Sequence, residues 1–434
     1  MNDFVNYFAI SYFVQKFLNN RILATVVTLA FSAVIIMAYQ LVRLHLRNYR
    51  LVTGIFLLAF ILSALTFYSP LPITVLPDVL IGLFAIWAIF QMRQIVSPAL
   101  AIPVLLLIYF LCFSPARLDT EFDNRYWTSV KPFFYLIIFY LMSGLRVDWP
   151  IKSIAYGFIV AYPLLLIGNI GLWWARDGYF MTRPNFLFEN NFEVPLILYC
   201  FAIITFIYRD MDIRIYLLVA ISILLTGSRS GLASFLVVSI FYLFSLDRKK
   251  IVWVSIAISC VLGYLVFIRG VSSFNVTNID QVDRLKTFLG LLSFYDYSFI
   301  EILKNPLGMG VYQKIPLGIC NRMEGYANWF TGNYFNCDPI MLQSFVARAL
   351  YQFGIYVLIL IPCLYFWELR KRTGSYLALL LLVPILCTSF SVGGFSNGLS
   401  FGGLLLAILA FNQTAGSKQI EHGLPASNQI LKAQ

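Results

Sequence analysis

The chain is made of long apolar blocks with few or no charges inside them, and these blocks decide what it can fold into. They fall near 22–42, 51–68, 76–92, 98–115, 131–145, 152–174, 192–208, 215–227, 232–246, 251–268, 344–367, 375–391 and 399–412. About 20 apolar residues in helical form span the hydrocarbon layer of a bilayer. Strands of a membrane barrel would alternate apolar and polar residues, and these blocks do not alternate. The expected fold is an all-α polytopic integral membrane protein with about 12–14 transmembrane helices. Composition agrees. Of 434 residues 60% are hydrophobic and 12% charged, against about 25% charge in a soluble domain. Segments 215–227 and 232–246 are short and read as a tight, tilted or re-entrant pair. Residues 4–20 are open between an interfacial helix and one more span, and lack a signal peptide's early charge and cleavage site.

Lysine and arginine mark the two sides. One set of short loops carries 14 cations, from Arg43, Arg47 and Arg50 through Arg146, Lys152, Arg209 and Arg214 to Arg370, Lys371 and Arg372. The opposite short connections carry six: Arg117, Arg125, Lys131, Arg176, Arg183 and Arg229. This places the first set in the cytoplasm and makes the net charge of +11 a mark of topology, with no nucleic acid as partner. Residues 1–434 read as a single transmembrane domain, with a large periplasmic loop at 269–343 and a cytoplasmic tail at 413–434. Within the loop, 284–303 reads as one amphipathic helix on the membrane surface. Leu285, Leu289, Leu292, Phe299 and Ile302 fall near one face, and Asn305-Pro306 ends it. Cys320 and Cys337 are the loop's cysteine pair. A disulfide between them suits an oxidising compartment, although spacing alone does not set its geometry.

Polar groups at the edge of a membrane bundle are the first place to look for chemistry. Arg229 lies in LLTGSRSG, at the tip of the short pair. Gly227, Ser228, Ser230 and Gly231 beside it supply backbone N–H and hydroxyl donors, so the segment can cradle an anion. The plainer reading is a turn with a snorkelling arginine. Arg183 lies in MTRPNFLFENNFE with Glu189, Asn191 and Glu193 close by, where an ordinary polar loop is the alternative. Arg284 lies in QVDRLKTFLG and can equally pair with Asp280 or Asp283. Guanidinium binds phosphate oxygens in bidentate fashion and stays charged, so three arginines on one side suit a diphosphate. Arg348 is a possible fourth contact, or it snorkels. Tyr312 and Trp329 are among loop aromatics that can stack on sugars or form an interfacial belt. Metal and cofactor sites are not expected. His45 and His422 lack ligand spacing. Asp210-Met211-Asp212 sits in a short charged turn, and Gly308-Met309-Gly310 shapes a turn after a proline.

RPNFLFENNF at 183–192, LLTGSRSG at 224–231, RLKTFLGLLSFYDYSFIEILKNPLGMG at 284–310 and LQSFVARALYQFGIYVLIL at 342–360 together resemble the O-antigen polymerase/ligase superfamily. The resemblance implies a multispanning enzyme of the bacterial inner membrane that works at the periplasmic face on undecaprenyl-diphosphate-linked glycans without a metal. It implies functional roles for Arg183, Arg229 and Arg284. The ligase branch carries a histidine about twelve residues before a glycine that resembles Gly354. Here that window holds Leu342, Gln343 and Ser344. Its absence points to the Wzy-type polysaccharide polymerase branch and leaves the acceptor-activating base open, with Glu193, Glu189 and Asp283 as candidates in that order. Partners implied by the family are the lipid-linked oligosaccharide, the bilayer, a chain-length regulator and a flippase. Alternatives are a ligase to another acceptor, a lipid-linked oligosaccharide flippase or transporter, and a lipid-monophosphate glycosyltransferase, for which Asp78 is the lone outer-loop carboxylate.

Overall fold

The computed structural model describes residues 76–91, 98–112, 124–177, 193–244, scattered positions between 251 and 263, most of 291–322, Cys337, Pro339, Leu342, 344–390 and 394–421. Among them every regular element is helical. In chain order these are α1 (Leu76–Gln91), α2 (Ala101–Cys112), α3 (Asn124–Met142), α4 (Ile151–Asp177), α5 (Val194–Ala202), α6 (Ile213–Thr226), α7 (Arg229–Leu243), α8 (Phe299–Lys304), α9 (Leu317–Arg322), α10 (Phe345–Thr373), α11 (Ser375–Ser389) and α12 (Gly398–Glu421). Two helices, Phe345–Thr373 and Gly398–Ala415, are long and apolar enough to cross a membrane, and the rest include several shorter apolar ones. α6 and α7 have 14 and 15 residues. At 1.5 Å per residue they rise roughly 21–23 Å, short of a hydrocarbon layer of about 30 Å.

The core is organised around α5, which is buried at every position except Leu196. It packs against α4, α6, α7, α11 and α12. A helix surrounded this way has no polar face to keep, and its sequence, VPLILYCFA, is apolar all round. A π turn over Ile203–Ile207 continues it, with the Tyr208 N–H donating to the Ile203 carbonyl at 3.0 Å. Large apolar side chains point outward on the peripheral helices, including Leu80, Leu83 and Ile86 of α1 and Leu105 and Ile108 of α2. Apolar side chains on the surface as well as in the core are what a lipid solvent selects.

One end of the bundle gathers the cation-rich loops. Glu368 accepts from Ser143 Oγ at 3.0 Å and from Arg372 Nε at 2.9 Å. Asn412 Nδ2 donates to the carbonyls of Ser143 and Leu145 at 2.7 and 3.0 Å, and Gln413 Nε2 to that of Trp149 at 2.9 Å. These bonds lock α12 to the α3–α4 connection, so α12 runs past residue 412 without a break. Both carboxylates of Asp210-Met211-Asp212 are engaged here. Asp212 caps α6 by accepting from Arg214 N–H at 2.9 Å. Asp210 pairs with Lys152 at 3.1 Å and accepts from the Tyr156 hydroxyl. Burial pushes the Asp210 carboxyl up, but Tyr156 and Lys152 outweigh it and hold it below its ordinary value. A depressed folded-state pKa stabilises above the unfolded value near 3.9 and is lost as pH falls through the folded one. Asp210→Asn is therefore expected to lower stability by about 0.5–1 kcal/mol at neutral pH, given the half-exposed pair. The gap should close on acidification toward pH 3, as read by thermal unfolding in detergent.

Two expectations from the sequence are corrected. Lys131 is not a loop cation, because α3 starts at Asn124 and Lys131 lies inside it. Its ammonium pairs with Asp78 of α1, which also accepts from the Tyr135 hydroxyl. A charge inside a helix looks like a boundary when its partner is distant in sequence. The segment 284–303 is also not one continuous helix. A turn at Tyr295–Asp296, with Asp296 at φ +48, interrupts it before α8. As a result Ile302 faces the core while Phe299 is exposed. Residues 284–290 lie outside the described residues.

Candidate functional site

At the end opposite the cation-rich loops, four helices begin. The start of α7 lies against the start of α5, where a Cβ on Gly231 would stand 2.7 Å from Val194 Cγ1. α12 and α5 run level with each other, since a Cβ on Gly403 would stand 2.4 Å from Tyr199 Cδ2, and each is the sixth residue of its helix. Arg348, four residues into α10, reaches Ser396, just before α12. Three of these N-termini are capped by side chains: Ser228 Oγ accepts from Gly231 N–H at 3.2 Å, Ser344 Oγ from Ala347 N–H at 3.0 Å, and Asn397 Oδ1 from Leu399 and Ser400 N–H at 2.8 and 3.2 Å. Each helix N-terminus carries roughly half a positive charge, so together they bias this end toward anions.

Arg348 sharpens that bias. It is 7% exposed, and among the described residues its guanidinium makes one hydrogen bond, donated from Nη2 to Ser396 Oγ at 2.7 Å. No carboxylate among the described residues pairs with it. A buried guanidinium normally needs a counter-charge. Here its partner is a neutral hydroxyl beside helix ends of the same sign. The arrangement can accept an anion with several oxygens.

A break in α10 builds the wall next to Arg348. Gly354 has φ +76 and ψ 177, which splits the helix into Phe345–Phe353 and Ile355–Thr373. The break frees backbone groups that a lipid environment cannot satisfy. The NPLGMG segment satisfies them: Met309 N–H donates to the Tyr351 carbonyl at 2.8 Å, Gly310 N–H to that of Gln352 at 3.0 Å, and the Pro306 carbonyl accepts from Tyr356 N–H at 3.4 Å. The fit depends on two glycines. A Cβ on Gly354 would stand 2.1 Å from the Pro306 oxygen, and one on Gly308 would stand 2.5 Å from Gly354 N. Gln352 Nε2 ties the joint to α3 through Ser129 Oγ at 2.9 Å and to the loop through the Val311 carbonyl at 3.2 Å.

Further along the loop, the Tyr351 hydroxyl donates to the Lys314 carbonyl at 2.8 Å, and Ile315 N–H to that of Cys337 at 2.8 Å. Cys320 and Cys337 are joined in a disulfide across 17 residues of sequence. A closed loop of that length stabilises by about 3 kcal/mol in the chain-entropy model. Replacing both cysteines with serine is expected to open 316–336 to protease while α10 and α11 stay resistant, as read by limited proteolysis and mass spectrometry.

Of the residues singled out by sequence, Ser228 caps α7, and Arg229 is that helix's first residue, with only its backbone described. Glu193 heads α5, 2% exposed and within electrostatic reach of Tyr162. Arg183, Glu189, Asn191, Arg284, Tyr312 and Trp329 lie outside the described residues. Ser344 is engaged as the α10 cap. Sequence reasoning missed Ser396, Asn397 and Gln352. The only available signal was Ser396-Asn397-Gly398 ahead of an apolar run, a helix-start pattern.

The described residues form an all-helical bundle with two helices long and apolar enough to cross a membrane, and one end gathers helix N-termini beside the buried Arg348. Residues 215–361, about a third of the chain, match the family model described as O-antigen ligase. This match, which runs from α6 through the Gly308–Gly354 joint, supports the O-antigen polymerase/ligase superfamily and a glycosyltransferase-type activity in O-antigen biosynthesis. No curated protein and no solved structure matches the chain.

Proposed function

We propose that the chain is a Wzy-type polysaccharide polymerase. It transfers a growing glycan from undecaprenyl diphosphate to a sugar hydroxyl of a lipid-linked repeat unit at the periplasmic face of the inner membrane. The observation that carries this reading is the buried Arg348, which has only a neutral partner among the described residues. In the transfer, the bond between the anomeric carbon and the diphosphate oxygen breaks, and a bond from that carbon to the acceptor oxygen forms. The acceptor proton passes to a base, for which Glu193 is the first candidate. Charge grows on the departing diphosphate, where Arg348 and the helix N-termini stabilise it, joined by Arg183, Arg229 and Arg284. Preorganised cations of this kind favour the transition state over the ground state. Glu189, Asn191, Tyr312 and Trp329 are assigned to holding the glycan.

A ligase acting on another acceptor is the second reading, and the family description favours it by name. The lack of a histidine among Leu342, Gln343 and Ser344, where the resemblance places one in the ligase branch, weighs toward the polymerase. The deciding experiment is reconstitution with a defined undecaprenyl-diphosphate oligosaccharide, with products resolved by size. A ladder of repeat multiples, lost on alanine substitution at Arg183, Arg229 or Arg284 with protein levels unchanged, is the expected result. Product formed only when a lipid A-core acceptor is supplied would establish the ligase reading, and transport into vesicles without any new glycosidic bond would refute both.

A further inference from the structure

α8 is six residues long and belongs to the large loop, yet its outward side is apolar. Ile302 packs inward with Ala347, Leu350 and Tyr351 of α10, and Ile355 and Leu358 adjoin the same cluster. Outward stand Phe299 and Ile300, 63% and 67% exposed, with Leu303 and, just beyond the helix, Leu307. The helix's charged residues, Glu301 and Lys304, pair with each other.

The register of α10 gives the depth of this face. Tyr356, bonded to the Pro306 carbonyl, precedes Arg370 by 14 residues, and Ala347, Leu350 and Tyr351, in the Ile302 cluster, precede it by 23, 20 and 19, rises of roughly 21 Å and 29–35 Å. Arg370–Arg372 mark where α10 leaves the hydrocarbon, a layer of about 30 Å. Residues 299–307 therefore run from the far half of that layer to its outer edge. The face is also continuous with the exposed stripe of α10 at Tyr356, Ile359, Cys363 and Trp367, spaced as one side of a helix. The Pro306 carbonyl, bonded to Tyr356 N–H, joins the two surfaces.

We propose that residues 299–307 form a wedge inserted into the membrane, with Phe299, Ile300, Leu303 and Leu307 in contact with acyl chains of the leaflet opposite the Arg370–Arg372 end. The wedge rests on α10 crossing the bilayer. It packs on the same half-helix that carries Arg348, so lipid chains lie next to the wall of the anion site.

The test is nitroxide accessibility in nanodiscs of phosphatidylethanolamine and phosphatidylglycerol. Full-length protein carries single labels at Ile300→Cys or Leu303→Cys. The unpaired cysteines are replaced by alanine and the Cys320–Cys337 disulfide is kept. Ile359→Cys reports the span and Gln313→Cys, exposed in the loop, reports water. Labels at 300 and 303 should match 359, with an oxygen-to-nickel collision ratio several-fold above that at 313. Nickel accessibility at both positions, or spin–spin broadening between two copies, with 359 still lipid-like, would overturn the wedge. Water accessibility at 359 would overturn the span and the wedge with it.

Discussion

Replacing Gly354 with alanine should dismantle the joint between the large loop and α10 and abolish chain extension. The new methyl would stand 2.1 Å from the Pro306 oxygen and 2.5 Å from Gly308 N. Both are backbone atoms, which cannot swing aside as a side chain can. The backbone at φ +76 and ψ 177 is essentially reserved for glycine and costs another residue about 1–3 kcal/mol, and overpacking adds about 1–3 kcal/mol. Gly374→Ala separates the two effects. Gly374 also has positive φ, at +81, but a Cβ there meets nothing within 4 Å, so only the conformational part is expected. Thermal unfolding in detergent, protease sensitivity across 305–315 and polymer length should all respond to Gly354→Ala. In Gly374→Ala only thermal unfolding should fall, by the conformational part, with protease resistance across 305–315 and polymer length near wild type. Equal behaviour of the two variants would show that the contact with NPLGMG contributes nothing.

Arg348→Met is the second large effect, and it has opposite signs in two measurements. Chain extension should fall by roughly 10²–10³-fold, the usual consequence of removing one preorganised donor from a developing anion. Ligand-free stability should hold or rise, because an apolar side chain of similar volume no longer strands a buried charge among helix N-termini. A structural arginine would behave the other way, since its loss would leave a partner unpaired. The described residues offer only Ser396 Oγ as a partner, a neutral group that can relax into other bonds. Arg348→Lys keeps the charge but loses the fork geometry, and is expected to recover part of the activity.

The sequence carried the helical class and the short α6–α7 pair, because apolar block length is a local signal. It also drew notice to Arg348, Ser228 and Glu193. Burial and the missing counter-charge were not legible, since both depend on which loops meet at one end of the bundle. Lys131 shows the same limit from the other side. Alone it breaks an apolar run, and only the approach of Asp78 from α1 makes it an interior residue. Gly308 and Gly354 each look like an ordinary helix breaker or turn residue, and their dependence on one another appears only when the backbones meet. The amphipathic reading of 284–303 failed at Asp296, where one left-handed residue resets the helical period and turns Phe299 outward.

Stabilisation by undecaprenyl diphosphate, measured as a thermal shift on wild type and on Arg348→Met, goes straight to the central idea of a buried cation waiting for a lipid-borne diphosphate. At a hundredfold excess over Kd a ligand bound only to the folded state adds about 2.7 kcal/mol. The wild type should show a shift of that order and the variant little or none. Equal shifts in the two proteins would mean that Arg348 does not hold the diphosphate.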